Sequence, residues 1–243
     1  MSYGYAIDQP LAIHAERSER AAFIRRTYLH LAGAIFGIIA LCAILMNVLP
    51  LQALNAITGI GVGNPMVFLL VYMVAFIGMS MLARYWAYNG TSQAVAYTGL
   101  VLYTVLQAIV TLPLLLIASF YLRAPHLIAE AGIMTGCLFA GLTAAAFITR
   151  KDFSFLRPIL FAGMFIAMGM IICGVAFGFG YGLWFSFALV ALACGFILYD
   201  TSNIIHHFRT DMHVPAALEL LCSVAFLFRE ILWILIQTQA RRD

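Results

Sequence analysis

Asp200 closes a run of apolar residues, Gly182 to Tyr199, that is long enough to cross a bilayer. A carboxylate in such a place is expensive unless it is paired, hydrated or used, so it marks a functional site by default. Arg84 lies near the end of another apolar run and falls at a similar depth, which allows an Arg84–Asp200 ion pair and makes Arg84 the expected charge neighbour. Stranding one member of a buried pair costs about 3–5 kcal/mol. The alternative is that Asp200 only caps a helix end at the water interface.

The final apolar run, 215–238, holds three more charges, Glu219, Arg229 and Glu230. On a helix, Glu219, Ser223 and Glu230 fall within about 40° of one another and form a polar stripe. Such a stripe in a membrane helix faces the bundle interior or a water-filled cavity. Arg229 points away from the stripe and needs another partner, and Glu130, near the start of the fourth run, has the matching depth. The expected structural pair is therefore Arg229–Glu130.

His206, His207 and His213 flank the connection between the last two runs. Imidazole and carboxylate could hold zinc and activate water. Adjacent His206 and His207 do not converge on one ion from a regular helix, so solvated loop histidines are expected, with no metal and no cofactor. No Gly-x-Ser-x-Gly, HExxH or P-loop pattern occurs, and the chain is not expected to be an enzyme. Cys42, Cys137, Cys173, Cys194 and Cys222 occupy five different apolar runs without zinc spacing, as expected of buried free thiols.

These groups need elements to position them. With 64% hydrophobic and 9% charged residues, the chain reads as an all-α integral membrane protein. Seven runs have span length: 27–50, 65–88, 93–121, 127–149, 155–178, 182–200 and 215–238. Residues 1–26 form a polar tail expected to be unstructured, and 27–243 a transmembrane domain. With the amino terminus inside, nine of the Lys and Arg residues fall on the cytoplasmic side and three outside, which orients the chain. If the seventh run re-enters instead of crossing, both termini are cytoplasmic. Pro113 predicts a kink in the third span. Gly33-x-x-x-Gly37 and Gly132-x-x-x-Gly136 predict close helix packing. The partner implied by composition is the lipid bilayer, and no basic patch with interleaved aromatics points to nucleic acid.

Thr149-Arg150-Lys151-Asp152-Phe153-Ser154-Phe155-Leu156 between the fourth and fifth spans, and Leu198-Tyr199-Asp200-Thr201 closing the sixth, resemble the Bax inhibitor-1 family. The resemblance covers residues 23–243 and implies a seven-helix bundle with the polar seventh helix at its centre. In many members two aspartates, one closing the sixth helix and one in the seventh, form a pH-sensitive pair implicated in calcium leak. Asp200 matches the first. Leu220-Leu221-Cys222-Ser223 occupies the second motif, so Ser223 stands where the second acid would be, and Glu219 or Glu230 could substitute from the same face. Two close carboxylates share a proton, whereas Asp and Ser lack that coupling.

Ser223, Thr201-Ser202-Asn203-Ile204-Ile205-His206, Ile24-Arg25-Arg26-Thr27-Tyr28 and the ending Arg242-Asp243 resemble the bacterial YccA branch, although Arg229-Glu230 departs from it. That likeness implies an inner-membrane protein that binds and modulates the membrane AAA protease FtsH, with the tail as the handle offered to the protease. The competing expectation is a pH-sensitive calcium or cation leak, with Asp200 as gating carboxylate, Arg84 as competing cation, and Glu219, Glu230 and Ser223 alongside.

Overall fold

The structure is a computed structural model that describes residues 11–58, 78–86, 88, 93–178, 180 and 182–241. Most of the expected second span, the Asn89-Gly90 turn, residues 1–10 and the terminal Arg242-Asp243 lie outside the described residues. The described elements are helical: α1 (Arg17–Val48), α2 (Leu51–Thr58), α3 (Gln93–Leu116), α4 (His126–Thr149), α5 (Leu156–Phe177), α6 (Leu183–His206) and α7 (His213–Gln239). Residues 78–86 are helical as well.

Five helices are long and apolar enough to cross a membrane: α1, α3 with the turn that follows it, α4, most of α5, and α6. The chain is a multi-pass membrane protein. α7, which carries Glu219, Arg229 and Glu230, is not one of the five.

α1 begins at Arg17, ahead of the expected span. Its 32 residues rise about 48 Å against a hydrocarbon core of about 30 Å, so the charged turns Arg17–Arg26 extend beyond the apolar layer. The segment before it is ordered too, contrary to the expected loose tail. Leu11 pairs with Arg209 in an isolated antiparallel bridge, the Ala12 amide donates to the Phe208 carbonyl at 2.8 Å, and Ala12 is fully buried. Of the apolar residues Leu11, Ala12 and Ile13 only Ala12 is buried, and the segment is held by its backbone contacts to Phe208 and Arg209.

Pro50 stops α1, because a residue preceding proline is driven out of the helical region. Leu49 is extended. Pro113 lies inside α3, which then passes into a π-helical turn, Ile117–Tyr121, closed by the Leu122 amide on the Ile117 carbonyl at 2.9 Å. The irregularity expected from Pro113 takes this form one turn later. Arg150 ends α4 in the left-handed region at φ 49°, and Gly178 ends α5 at φ 72°, where the lack of a Cβ makes that conformation easy.

α7 packs against α1, α3, α4 and α6, and more than half of its residues are buried. Pro215 sits in its first turn, where the missing N–H has no intrahelical partner to lose. Ala216, Ala217, Leu218, Leu220 and Leu221 are fully covered, in a cluster with Phe23 and Leu31 of α1 and Tyr103 of α3. α5 lies outside this core and packs on α6. There a Cβ built on Gly195 would lie 2.6 Å from Leu160 Cδ2, and one on Gly163 would lie 2.9 Å from Leu192 Cδ1. The close glycine contacts are thus at α5–α6. A Cβ on Gly33, Gly132 or Gly136 would meet no atom within 4 Å, and of the two expected motifs only Gly37 approaches a neighbour, Thr104. Those sites line helix surfaces rather than interfaces among the described residues.

Candidate functional site

The site forms where α6 ends and α7 begins. Asp200 is one of the residues that the last turns of α6 turn inward, together with Ile197, Thr201, Ile204 and Ile205. Asp200 and Ser223 are each only 5% exposed, and the Ser223 hydroxyl donates to Asp200 Oδ2. The costly acid of the sixth helix is therefore met by the serine of the seventh.

Arg84 does not join that contact. Its Nη1 donates to both oxygens of Glu219, at 3.0 and 3.3 Å, and the Tyr88 hydroxyl donates to Glu219 Oε1 at 2.7 Å. The expected Arg84–Asp200 pair is thus replaced by Arg84–Glu219. Desolvation accounts for the choice: the Arg84 and Glu219 side chains remain 37% and 20% exposed, whereas Asp200 is buried. A partly wet acid takes the guanidinium, and the dry acid takes a small neutral donor. Asp200 still lies within the electrostatic reach of both Glu219 and Arg84. Glu230, on the same stripe, is half-buried and has no hydrogen bond or ion pair among the described residues.

The Arg229–Glu130 pair is not formed. Arg229 Nη1 donates to Gln107 Oε1 at 2.6 Å, and Gln107 Nε2 donates to the Tyr103 hydroxyl at 3.0 Å. Gln107 and Tyr103 are buried on α3, while Glu130 is exposed on α4. Matching charge by depth missed a neutral amide, which can accept from a guanidinium and pass its own proton onward. A lone amide in the middle of the third apolar run was the available signal.

Two sequence elements set apart in the chain interlock beside Asp200. The Phe153 amide donates to Ser202 Oγ at 3.0 Å, and Ser202 Oγ donates to the Lys151 carbonyl at 3.1 Å. The 151–154 connection is thereby fastened to the last turn of α6, two residues beyond Asp200. Asp152 accepts from the Ser154 amide at 2.9 Å and from its hydroxyl, and faces His207 Nε2 at 3.6 Å. The Ser154 hydroxyl holds the Asp152 carboxyl below its ordinary range. The Tyr28 hydroxyl of α1 lies beside Thr143 of α4 and Thr201 of α6, a grouping that no motif announced.

Among the histidines, His206 Nδ1 turns back on the Ser202 carbonyl at 2.8 Å. His213 is 7% exposed rather than solvated, because it opens α7 against α1 and α3. Of the cysteines, Cys42 is buried, but Cys137 and Cys173 are exposed on α4 and α5, on faces their own bundle does not cover. Among the described residues, no three His, Cys, Asp or Glu side chains gather as metal ligands.

With that geometry in place, the family profile described as "Inhibitor of apoptosis-promoting Bax1" matches residues 20–240. The chain belongs to the Bax inhibitor-1 family. Its bacterial relatives in that family include an uncharacterized membrane protein of Vibrio cholerae, 30% identical over 188 residues, 76% of this chain and 81% of the relative. Plant relatives include Protein LIFEGUARD 3 of Arabidopsis thaliana, 29% identical over 234 residues, 92% of this chain and 88% of the relative. The Arabidopsis BI1-like protein is 28% identical over 243 residues, 98% of this chain and 89% of the relative.

Proposed function

We propose that this Bax inhibitor-1 family protein is a regulator in the bacterial inner membrane, of the YccA-like kind, that binds and modulates an FtsH-like membrane AAA protease and has no enzymatic activity of its own. In this reading seven helices cross the bilayer, α7 is the central one, and the amino terminus is cytoplasmic. One observation carries the reading: Asp200 is closed by Ser223 while Glu219 absorbs Arg84. Arg84 and Glu219 pair with each other and Asp200 is satisfied by a neutral hydroxyl, so these groups are engaged within the protein. The bacterial relative is consistent with that cellular setting.

The test is affinity purification of the native protein from its own membranes, with and without residues 2–20. A co-purifying membrane protease, lost on the deletion, is the expected result. Unchanged association would remove the tail from the mechanism, and a protease never found with the intact protein would remove the regulator.

A second reading is favoured by the nearness of two acids to one arginine. Asp200, Glu219 and Arg84 act on one another electrostatically, so a change in protonation could redistribute the arginine between the acids. The activity would be a calcium or cation leak. Calcium flux into liposomes, at mildly acidic and mildly alkaline pH, separates this reading from the first. Flux abolished by Asp200→Asn supports a leak, and flux that is absent or indifferent to the substitution sinks it.

A further inference from the structure

A second cluster of side chains stands apart from the Asp200 site. His30 of α1, Tyr97 of α3 and His213, the first residue of α7, meet where the three helices converge. His30 Nε2 lies 2.9 Å from the Tyr97 hydroxyl oxygen, and His213 Nε2 lies 3.3 Å from the same oxygen. The two imidazole rings are 5.0 Å apart between centroids. Two imidazole nitrogens from two helices therefore converge on one hydroxyl oxygen from a third.

An outer contact orients His30. His30 Nδ1 is 2.6 Å from the Arg26 carbonyl oxygen. A carbonyl only accepts, so Nδ1 carries the proton and the lone pair of His30 lies on Nε2, toward Tyr97. A backbone carbonyl holding the distal nitrogen is the arrangement that presents a histidine to a metal. In a tetrahedral site with bonds of about 2.0–2.1 Å, neighbouring donor atoms lie about 3.3 Å apart. The His213–Tyr97 distance of 3.3 Å matches that edge, and the His30–Tyr97 contact of 2.9 Å is shorter, as a hydrogen bond is. Arg26 and Asp211, of opposite sign, both act electrostatically on His213, as does the His30 imidazole.

We propose that His30, Tyr97 and His213 form a binding site for a borderline divalent transition ion of the zinc class. Two neutral imidazole nitrogens and one phenolate oxygen, whose proton is released to solvent on binding, suit such an ion, whereas calcium and magnesium require oxygen-rich shells. Three protein ligands leave a fourth position for water or a further ligand. The ion would fasten the start of α7 to α1 and α3, six residues before Glu219. This site is independent of the regulator and leak readings, since it shares no residue with either.

Purified protein, stripped with chelator in detergent, should bind one Zn2+ per chain in calorimetry and gain thermal stability with added Zn2+, as any ligand of the native state confers. Tyr97→Phe keeps the ring and its packing, and His30→Ala removes one imidazole. Each should weaken binding at least about tenfold while far-ultraviolet circular dichroism stays that of the parent. His206→Asn with His207→Asn should leave the affinity unchanged. Co2+ in place of Zn2+ should give the visible bands of a four-coordinate nitrogen and oxygen site, absent in Tyr97→Phe. No saturable Zn2+ binding by the parent, binding indifferent to both Tyr97→Phe and His30→Ala, or binding lost only with His206 and His207 would overturn the proposal.

Discussion

Ser223 of α7 donates its hydroxyl proton to the carboxylate of Asp200 on α6, and both residues are buried. Ser223→Ala leaves that carboxylate without its donor and should destabilise the protein by about 1–3 kcal/mol, read as a lowered Tm in detergent. Ser223→Asp should behave differently, because two adjacent carboxylates resist ionising together. Its stability should fall more steeply than the parent's as pH rises from mildly acidic to mildly alkaline. A Tm unchanged in Ser223→Ala would mean the hydroxyl does not support Asp200.

Arg229 depends on an amide rather than an acid. Gln107→Leu should therefore cost about 1–3 kcal/mol, since it strands the Arg229 guanidinium and removes one donor to the Tyr103 hydroxyl. Glu130→Gln, on an exposed position of α4, should stay within about 0.5 kcal/mol of the parent. Thermal unfolding of the two variants side by side decides between the partners.

The glycines of α5 and α6 should separate from those of α4. Gly195→Ala drives a Cβ against the Leu160 side chain and should destabilise by about 1–3 kcal/mol unless Leu160 changes rotamer. Gly132→Ala meets no atom within 4 Å and should be neutral or gain up to about 1 kcal/mol from helix propensity. Equal effects at both positions would contradict the packing described.

Asp152 sets the sign of one pH effect. Its carboxyl is held below the ordinary value in the folded protein, first by the Ser154 hydroxyl. A depressed folded value means the contribution is complete above the unfolded value, about 3.9, and disappears as pH falls through the folded one. Ser154→Ala should raise the carboxyl toward its ordinary range, so the acid-side loosening of residues 152–156 begins at higher pH. Carbon NMR titration of the labelled carboxyl, or hydrogen exchange of that connection, reads the shift directly.

Asp200, Ser223 and Glu219 were legible in the chain because a polar group in an apolar run is rare and helical spacing places Glu219 and Ser223 on one face. What the chain did not disclose was partner choice. Arg84 goes to Glu219 because the two share partial exposure, a property set by how the segment 78–86 lies against α7 and not by depth along either helix. Gln107 carries no charge that would mark it as the Arg229 acceptor. The α5–α6 glycine contacts were equally hidden. Gly163 and Gly195 belong to no small-x-x-x-small pair singled out in the sequence, and their role depends on Leu192 and Leu160 across the interface. Helix content and boundaries followed more readily from apolar runs and from Pro50, Pro113 and Gly178.

The bridge between Leu11 and Arg209 joins the amino-terminal stretch to the connection between the two helices that carry Asp200 and Glu219. A force applied to the amino end therefore does not first unwind α1. It loads the Phe208–Arg209 strandlet, where one short pair of residues must shear before tension reaches Arg17. The handle and the hinge are mechanically in series, so anything that grips the tail tugs first on the joint between the two acid-bearing helices.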